Sequence, residues 1–119
     1  MTADLTDISA ITGYHAHVYF DPDADSASAA KGLREEVTEA FSDIAYIGNW
    51  HDKPVGPHTT GSYMVAFKAE FFGKIVPWLS LHNPGLSILI HPETGDDLKD
   101  HRDYPLWLGQ PIDLDLSKL

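Results

Sequence analysis

The sequence has no cysteine, few basic residues and no long apolar run. Without cysteine, a disulfide framework, a thiolate zinc site and a cysteine nucleophile are all excluded. Eight basic residues against eighteen acidic ones give a formal charge of −10, so the chain lacks the basic stripe that binding to a nucleic acid or to anionic lipid requires. The apolar runs are too short to span a bilayer, and the acidic start MTADLTDIS does not resemble a secretion signal. We therefore expect a cytoplasmic protein that binds neither nucleic acid nor a membrane.

The chain is nevertheless rich enough in apolar residues to fold. Its 119 residues are 43% hydrophobic, which suits one domain with one core. No internal repeat, low-complexity tract or linker divides it. We expect a single domain that spans residues 1–119.

The hydrophobic patterns follow the order strand, helix, strand, strand, helix, strand. The predicted strands are residues 14–20, 44–50, 62–67 and 86–91. This order is typical of the ferredoxin-like βαββαβ fold, an α+β fold with an antiparallel four-stranded sheet and both helices on one face. The other face needs a cover, so we expect a homodimer that forms an α+β barrel. The later segment YPLWLGQPIDLDL is predicted as extended chain along a sheet edge or a partner.

The first predicted strand, YHAHVYF, carries two histidines on one face. With period two, its apolar face consists of Ala16, Val18 and Phe20, and its other face of His15, His17 and Tyr19. Alternate residues on a strand lie roughly 6.5–7 Å apart at Cα, close enough for two imidazoles to reach one ion. This spacing indicates a metal site, although a pair of hydrogen-bonded structural histidines is the simpler alternative.

His17, His58 and His91 are the predicted metal ligands. His58 lies in the loop HDKPVGPHTTG, and His91 ends the fourth strand on the face of His17. Neutral imidazoles without thiolates suit zinc, iron, copper or nickel rather than calcium or magnesium. Whether His15 is a fourth ligand or a neighbour of the site stays open. His51, in the same loop, is either a bystander or part of a pocket wall.

Three segments resemble the Dopa 4,5-dioxygenase family: YHAHVYF, GPHTTGSYMVAF and HPETGDDLKDHRDYPLWLG. The resemblance extends from residue 13 to about residue 110, and the last segment is its most specific part. It implies a ferredoxin-like dimer that cleaves a catechol ring in the extradiol manner with non-haem Fe(II) and O2. Fungal members of the family act on the catechol ring of L-DOPA in pigment synthesis. The natural catechol, the position of cleavage and the metal present after purification, zinc or another divalent ion, are left open.

The proposed chemistry suggests roles for further residues. A catechol that binds Fe(II) loses protons, so we expect His15 and His101 to handle protons as catalytic groups. Expected substrate contacts are Tyr19, Trp50, Tyr63 and Arg102. The three aromatic residues are equally ordinary sheet residues, and Arg102 could pair with a nearby acid instead of a substrate carboxylate. Glu93 is the first carboxylate that could join the otherwise all-histidine site.

The sequence therefore predicts an extradiol-type ring-cleaving dioxygenase whose partners are a small aromatic substrate and O2. Two other classes of protein fit the same residues. One is a small monooxygenase of the same fold, and the other is a non-catalytic module that binds a metal or a small ligand. The number of histidines argues against the first alternative, and the acid/base residues beside the proposed ligands argue against the second.

Overall fold

The structure, a computed structural model, describes residues 7–119; most of the acidic segment compared above with a secretion signal lies outside this range. The α-helices are α1 (Asp25–Phe41), α2 (Phe72–His82) and α3 (Asp97–Arg102), and the strands are β1 (Gly13–Phe20), β2 (Ala45–Ile47), β3 (Gly61–Lys68), β4 (Ile88–Glu93) and β5 (Leu106–Leu108). In residues 7–119, three short 3-10 helices occupy Ile8–Ala10, Ala69–Phe71 and Leu116–Lys118. Within the described residues, no helix has both the length and the apolar character that a membrane crossing requires.

The strands form one open antiparallel sheet in the order β2-β3-β1-β4-β5. The fold is α+β as predicted, but the sheet has five strands in the described residues rather than four. The added strand β5 comes from the segment predicted as extended chain, and Leu106 lies opposite Ile90. Gly109 ends it with φ of +73°, where an added Cβ would collide with the carbonyl oxygen of Leu86. The ferredoxin-like assignment and the dimer stay predictions.

The hydrophobic core lies between one face of the sheet and the helices α1 and α2. Period two on β1 places Ala16, Val18 and Phe20 in this core, as predicted. The helices supply a matching apolar stripe: Ala30, Leu33, Val37 and Phe41 from α1, and Ile75 and Leu79 from α2. Each fully buried large apolar side chain contributes about 1.5–3 kcal/mol, so this layer fixes which face of β1 is left for other chemistry.

The opposite face of β1 carries the polar residues of interest. Because β1 lies between β3 and β4, its side chains have neighbours on both sides. His15 lies directly opposite His91, and His17 lies opposite Leu89. On the neighbouring strand β3, Met64 lies opposite His17. The register therefore brings histidines that are distant in the sequence onto adjacent strands.

Candidate metal centre and active site

Five of the seven histidines gather on the face of the sheet opposite the core: His15, His17, His58, His91 and His101. Ring centroids are 5.1 Å apart for His15 and His91, 4.1 Å for His17 and His58, and 4.0 Å for His91 and His101. All five were singled out from the sequence as ligands or proton-handling groups, and the structure brings them together.

Two of the five clustered histidines, His58 and His101, lie outside the sheet, and separate parts of the chain hold them in place. His58 lies in the loop before β3, and the C-terminal segment holds this loop through hydrogen bonds from the Asp115 amide to the Pro57 carbonyl and from the Thr59 hydroxyl to the Asp113 carbonyl, 2.8 and 2.9 Å long. The loop is therefore fixed by long-range contacts that its own sequence does not reveal.

His101 is carried by α3, which a buried carboxylate fastens to the end of β4. The Asp100 side chain is fully buried and accepts hydrogen bonds from the amide and the hydroxyl of Thr94, at 2.9 and 2.6 Å. This pair holds the short helix against the strand end, which explains how His101 comes to lie beside His91.

Three of the histidines offer nitrogen atoms to a common point. One ring nitrogen each from His15, His17 and His91 lies within 4.8 Å of the others. The Nε2 atoms of His17 and His91 are 3.1 Å apart. Two nitrogens that bind one ion at about 2.1 Å each can be no more than about 4.2 Å apart, so this pair is close enough to share an ion. In the described residues this set contains His15 where the sequence analysis had expected His58.

The hydrogen bonds at the Nδ1 atoms show which nitrogens are available. His91 Nδ1 donates to the Pro92 carbonyl at 3.0 Å, and His101 Nδ1 donates to the Asp97 carbonyl at 2.7 Å. His15 Nδ1 lies 3.2 Å from a carboxylate oxygen of Glu93. Because a carbonyl oxygen only accepts hydrogen bonds, the proton of neutral His91 and His101 is at Nδ1 and Nε2 keeps its lone pair. The carboxylate of Glu93 favours the same tautomer for His15. Histidines that bind metals commonly use the same arrangement.

Burial favours the neutral form of these rings. It lowers the pKa of His17 well below its usual value, with a further contribution from the neighbouring His58 and His91. Burial is also the main reason that the pKa of His58 and that of His91 fall to about 4. A neutral imidazole is the form that binds a metal, so the cluster is ready for a cation near neutral pH.

Glu93 shares this environment, and one of its carboxylate oxygens also lies within 4.8 Å of a carboxylate oxygen of both Asp97 and Asp100. Its carboxylate lies 3.2 Å from His15 Nδ1 and 3.7 Å from His91 Nδ1, on the sides of the rings away from Nε2. Burial, and then the nearby carboxylates of Asp100 and Asp97, raise its pKa. The geometry is that of a group that orients two histidines from behind.

The structure does not bring all the predicted substrate contacts to the cluster. Tyr63 lies opposite Val18, so its side chain faces the helices and its hydroxyl donates to the Ala30 carbonyl at 3.2 Å. Trp50 stacks on Phe20, with centroids 4.0 Å apart, and belongs to the same side. Both rings belong to the core side, the ordinary alternative weighed above for sheet aromatics, although Tyr63 also borders the cavity of His17 and His58.

The other two predicted contacts have partners within the protein. Tyr19 is on the histidine face, where its hydroxyl lies 2.6 Å from His58 Nδ1. Burial raises the pKa of this phenol, which therefore stays protonated. Arg102 forms two hydrogen bonds, 2.8 and 2.9 Å long, with the carboxylate of Asp103, so its guanidinium is engaged by a neighbouring acid.

Two cavities beside the cluster contain residues that the sequence analysis did not single out. One, of about 320 Å³, is lined by His17 and His58 together with Tyr46 and Met64, and also by His51 and Tyr63, which were considered above as parts of a pocket wall. The other, of about 360 Å³, is lined by His15 and Glu93 together with Ala66 and Lys68. Period two in GSYMVAFK could have found Met64, Ala66 and Lys68, because alternation puts them on the face opposite Tyr63, Val65 and Phe67.

The fold and the site together define a small α+β protein whose sheet carries a histidine cluster suited to a metal ion. The sequence model of the Dopa 4,5-dioxygenase family matches residues 14–118, and the chain belongs to this family. The resemblance of the three sequence segments is thereby confirmed.

Individual relatives are consistent with this membership. The chain is 34% identical to the DOPA 4,5-dioxygenase of Amanita muscaria over 116 residues, which are 93% of this chain and 51% of that protein. It is 33% identical to an uncharacterised 21.2 kDa protein of Botryotinia fuckeliana over 113 residues, 87% of this chain and 61% of that protein. The chain thus spans only about half to three-fifths of the length of these curated relatives.

A solved structure resembles the whole chain. The crystal structure of a "putative dioxygenase" from Nostoc punctiforme is 47% identical, has a TM-score of 0.84 and matches over 93% of each chain. At this identity the likeness extends to the family as well as to the fold.

Proposed function

We propose that this chain is an extradiol-type ring-cleaving dioxygenase that acts on L-DOPA or a related small catechol with non-haem Fe(II) and O2. The observation that carries the proposal is the set of nitrogens from His15, His17 and His91 within 4.8 Å, on a sheet face flanked by two cavities. Membership of the family and the name of the fungal relative support the reaction and the type of substrate.

The donor set fits the proposed metal. Three neutral imidazoles suit Fe(II) and also zinc; Nδ1 of His91 is hydrogen-bonded to a carbonyl, and Nδ1 of His15 lies 3.2 Å from a carboxylate oxygen. Bound Fe(II) would supply the Lewis-acid and redox chemistry that lets a catechol react with dioxygen. We assign His15 to the ligands because Glu93 engages its Nδ1 atom and leaves Nε2 for the ion. Of the two proton-handling groups expected from the sequence, this leaves His101.

His101 is the base that the site offers for a catechol hydroxyl. Its Nδ1 proton is held by the Asp97 carbonyl, so Nε2 is free to accept a proton. The ring lies 4.0 Å from His91 and 6.3 Å from His17, beside the proposed ligands without belonging to their set. In this position His101 would accept a proton as the catechol binds and return it later in the reaction.

The flanking cavities offer contacts to the rest of the substrate. Tyr46 and Met64 line the cavity beside His17, and both side chains suit an aromatic ring. Lys68 lines the cavity of His15 and is the cation that we propose for a substrate carboxylate, because the guanidinium of Arg102 is bound to Asp103. This assignment replaces Arg102 as the expected partner of an amino-acid substrate.

A second copy of the chain is the cover that we propose for the rest of this face. Tyr46, on β2, lies opposite Ala66 of β3. Its side chain is on the face of the histidines, and the residue is 61% exposed. An exposed aromatic residue beside the proposed substrate cavity is a natural point of contact for a partner protomer. A homodimer therefore remains our proposal, and sedimentation of the metal-loaded protein tests its stoichiometry. A cytoplasmic location is a separate part of the proposal.

Anaerobic reconstitution tests the proposed reaction directly. The metal-free protein is loaded with one equivalent of Fe(II), mixed with a catechol and then exposed to O2. We expect a yellow ring-opened product that contains both atoms of ¹⁸O2, whereas zinc-loaded protein gives none. One labelled atom in a ring-intact product would identify a monooxygenase instead. Tight metal binding without turnover of any catechol would support a non-catalytic metal-binding module.

A further inference from the structure

The hydroxyl of Tyr19 has one hydrogen-bond partner among residues 7–119, the Nδ1 atom of His58 at 2.6 Å. Both side chains are buried, Tyr19 with 3% and His58 with 7% of its surface exposed. Neither group therefore exchanges this bond readily for one with water. The position of the proton between these two atoms decides what the other nitrogen of His58 can do.

The hydroxyl of Tyr19 must be the donor in this bond. A phenol keeps its proton near neutral pH, and the oxygen of a hydroxyl can both donate and accept. If His58 Nδ1 donated instead, the buried O–H of Tyr19 would have no acceptor in the described part of the chain. An unsatisfied buried donor is more costly than the bond that replaces it. Nδ1 of His58 is consequently the acceptor.

We infer that Tyr19 fixes His58 in the tautomer that carries its proton on Nε2, so that His58 is a hydrogen-bond donor in the site and not a metal ligand. The proton position is opposite to that of His91 and His101, whose Nδ1 atoms donate to carbonyls. His58 lines the same cavity as His17, with ring centroids 4.1 Å apart. Neighbouring histidines thus receive different roles from the partners behind their rings.

A protonated Nε2 has a specific use beside a metal. It has no lone pair for an ion, but it can donate to an oxygen atom that a substrate or dioxygen places in the cavity. This use rests on the proposed dioxygenase function, whereas the tautomer itself does not. Tyr19 acts through His58 and is a positioning residue, in contrast to the substrate contact expected from the sequence.

The tautomer can be measured without any catalytic activity. Long-range ¹H–¹⁵N correlation spectra of the zinc-loaded protein distinguish a protonated Nε2 from a protonated Nδ1 for each histidine. We expect His58 to carry its proton on Nε2 and Tyr19→Phe to shift this ring toward the other tautomer. Tyr63→Phe is the matched control, because it removes a buried hydroxyl on the opposite face and should leave His58 unchanged. A proton on Nδ1 of His58 in the unmodified protein would overturn the inference.

Metal content gives a second, independent test. His58→Ala and His58→Gln should both bind one zinc per chain as the unmodified protein does, whereas His17→Ala should not. With Fe(II), His58→Ala is expected to lose about 100-fold in kcat, and His58→Gln to recover part of it because its amide can donate from a similar position. Loss of zinc from both His58 variants would overturn the inference. Inactivity of the unmodified protein on every catechol would refute the proposed function instead, since the spectra and the zinc content do not depend on turnover.

Discussion

His17 and His91 lie on neighbouring strands with their Nε2 atoms 3.1 Å apart. Two neutral rings at this distance share one proton or one cation between them. The Nδ1 proton of His91 is already held by the Pro92 carbonyl, so its Nε2 atom can only accept. A divalent ion satisfies both lone pairs at once, whereas without an ion His17 must donate. Binding of a metal ion would therefore change the protonation pattern of His17.

Substitution of His91 should abolish metal binding. His91→Ala removes one of three proposed nitrogens, and we expect zinc content to fall below one tenth of an equivalent after dialysis. Elemental analysis provides the measurement, and a thermal unfolding curve checks that the variant is folded. His82→Ala is the control, because His82 stacks on Trp78 far from the cluster. Full zinc content in His91→Ala would show that the site is misplaced.

Glu93→Gln should weaken the site without removing a ligand. The carboxylate lies behind His15 and His91, and groups in this position typically contribute about 10–100-fold to metal affinity. We expect the zinc dissociation constant, measured by competition with a chelator, to rise within this range. Glu39→Gln, on the exposed surface of α1, is the control. Complete loss of zinc in Glu93→Gln would instead identify Glu93 as a ligand.

The metal-free protein should lose stability as the pH falls from about 6.5 toward 4. Ordinary histidines titrate near 6.5 in the unfolded chain, whereas the folded pKa of His58 and of His91 is about 4. Between these values the unfolded state binds more protons, so the free energy of unfolding rises with pH and is fully present above about 6.5. We expect a loss on the order of a few kcal/mol between pH 7 and pH 4.5 in denaturant titrations. An unchanged midpoint would contradict the buried, neutral cluster.

Several features of this site could be read from the sequence, and others could not. Alternation in β1 predicts that His15 and His17 lie on the face opposite Ala16, Val18 and Phe20. The structure agrees, because the three apolar residues belong to one continuous core. The strand β5 has three residues and α3 has six, too short for a periodic pattern to be recognised. Their positions depend on pairing with β4 and on Asp100, which are contacts between distant residues.

The roles of individual residues are hard to infer from the sequence for a similar reason. Tyr63 was considered as a pocket wall because of its residue type; its register opposite Val18 directs its ring into the core, and the residue also borders the cavity of His17 and His58. His58 was expected to be a ligand because it is a loop histidine, and only the position of Tyr19 shows how its proton is held. Residue type indicates what a side chain can do, and the partner behind it determines which of these possibilities is used.

Lys68 should determine whether a carboxylate on the substrate matters. Lys68→Met is expected to raise KM for L-DOPA about tenfold or more, because a charge-assisted contact is lost. The KM for 4-methylcatechol, which has no carboxylate, should be unchanged. The ratio of the two KM values in the Fe(II)-loaded protein is the measurement. Lys74→Met, on the exposed side of α2, controls for the change in net charge. An equal effect on both substrates would exclude a specific contact with the carboxylate.

His101→Ala should separate metal binding from turnover. His101 lies beside the cluster but is not in the set of three ligand nitrogens, so the variant is expected to hold Fe(II) and to bind catechol with nearly unchanged affinity. Without a base for the catechol hydroxyl, kcat should fall by about 100-fold or more. The loss should be smaller at high pH, where more of the catechol is already deprotonated. Stopped-flow spectra and a pH–rate profile provide these measurements, and Asp97→Ala, which keeps the backbone carbonyl that holds the ring, is the control. Near-normal turnover would remove His101 from the mechanism, and loss of iron would place it among the ligands.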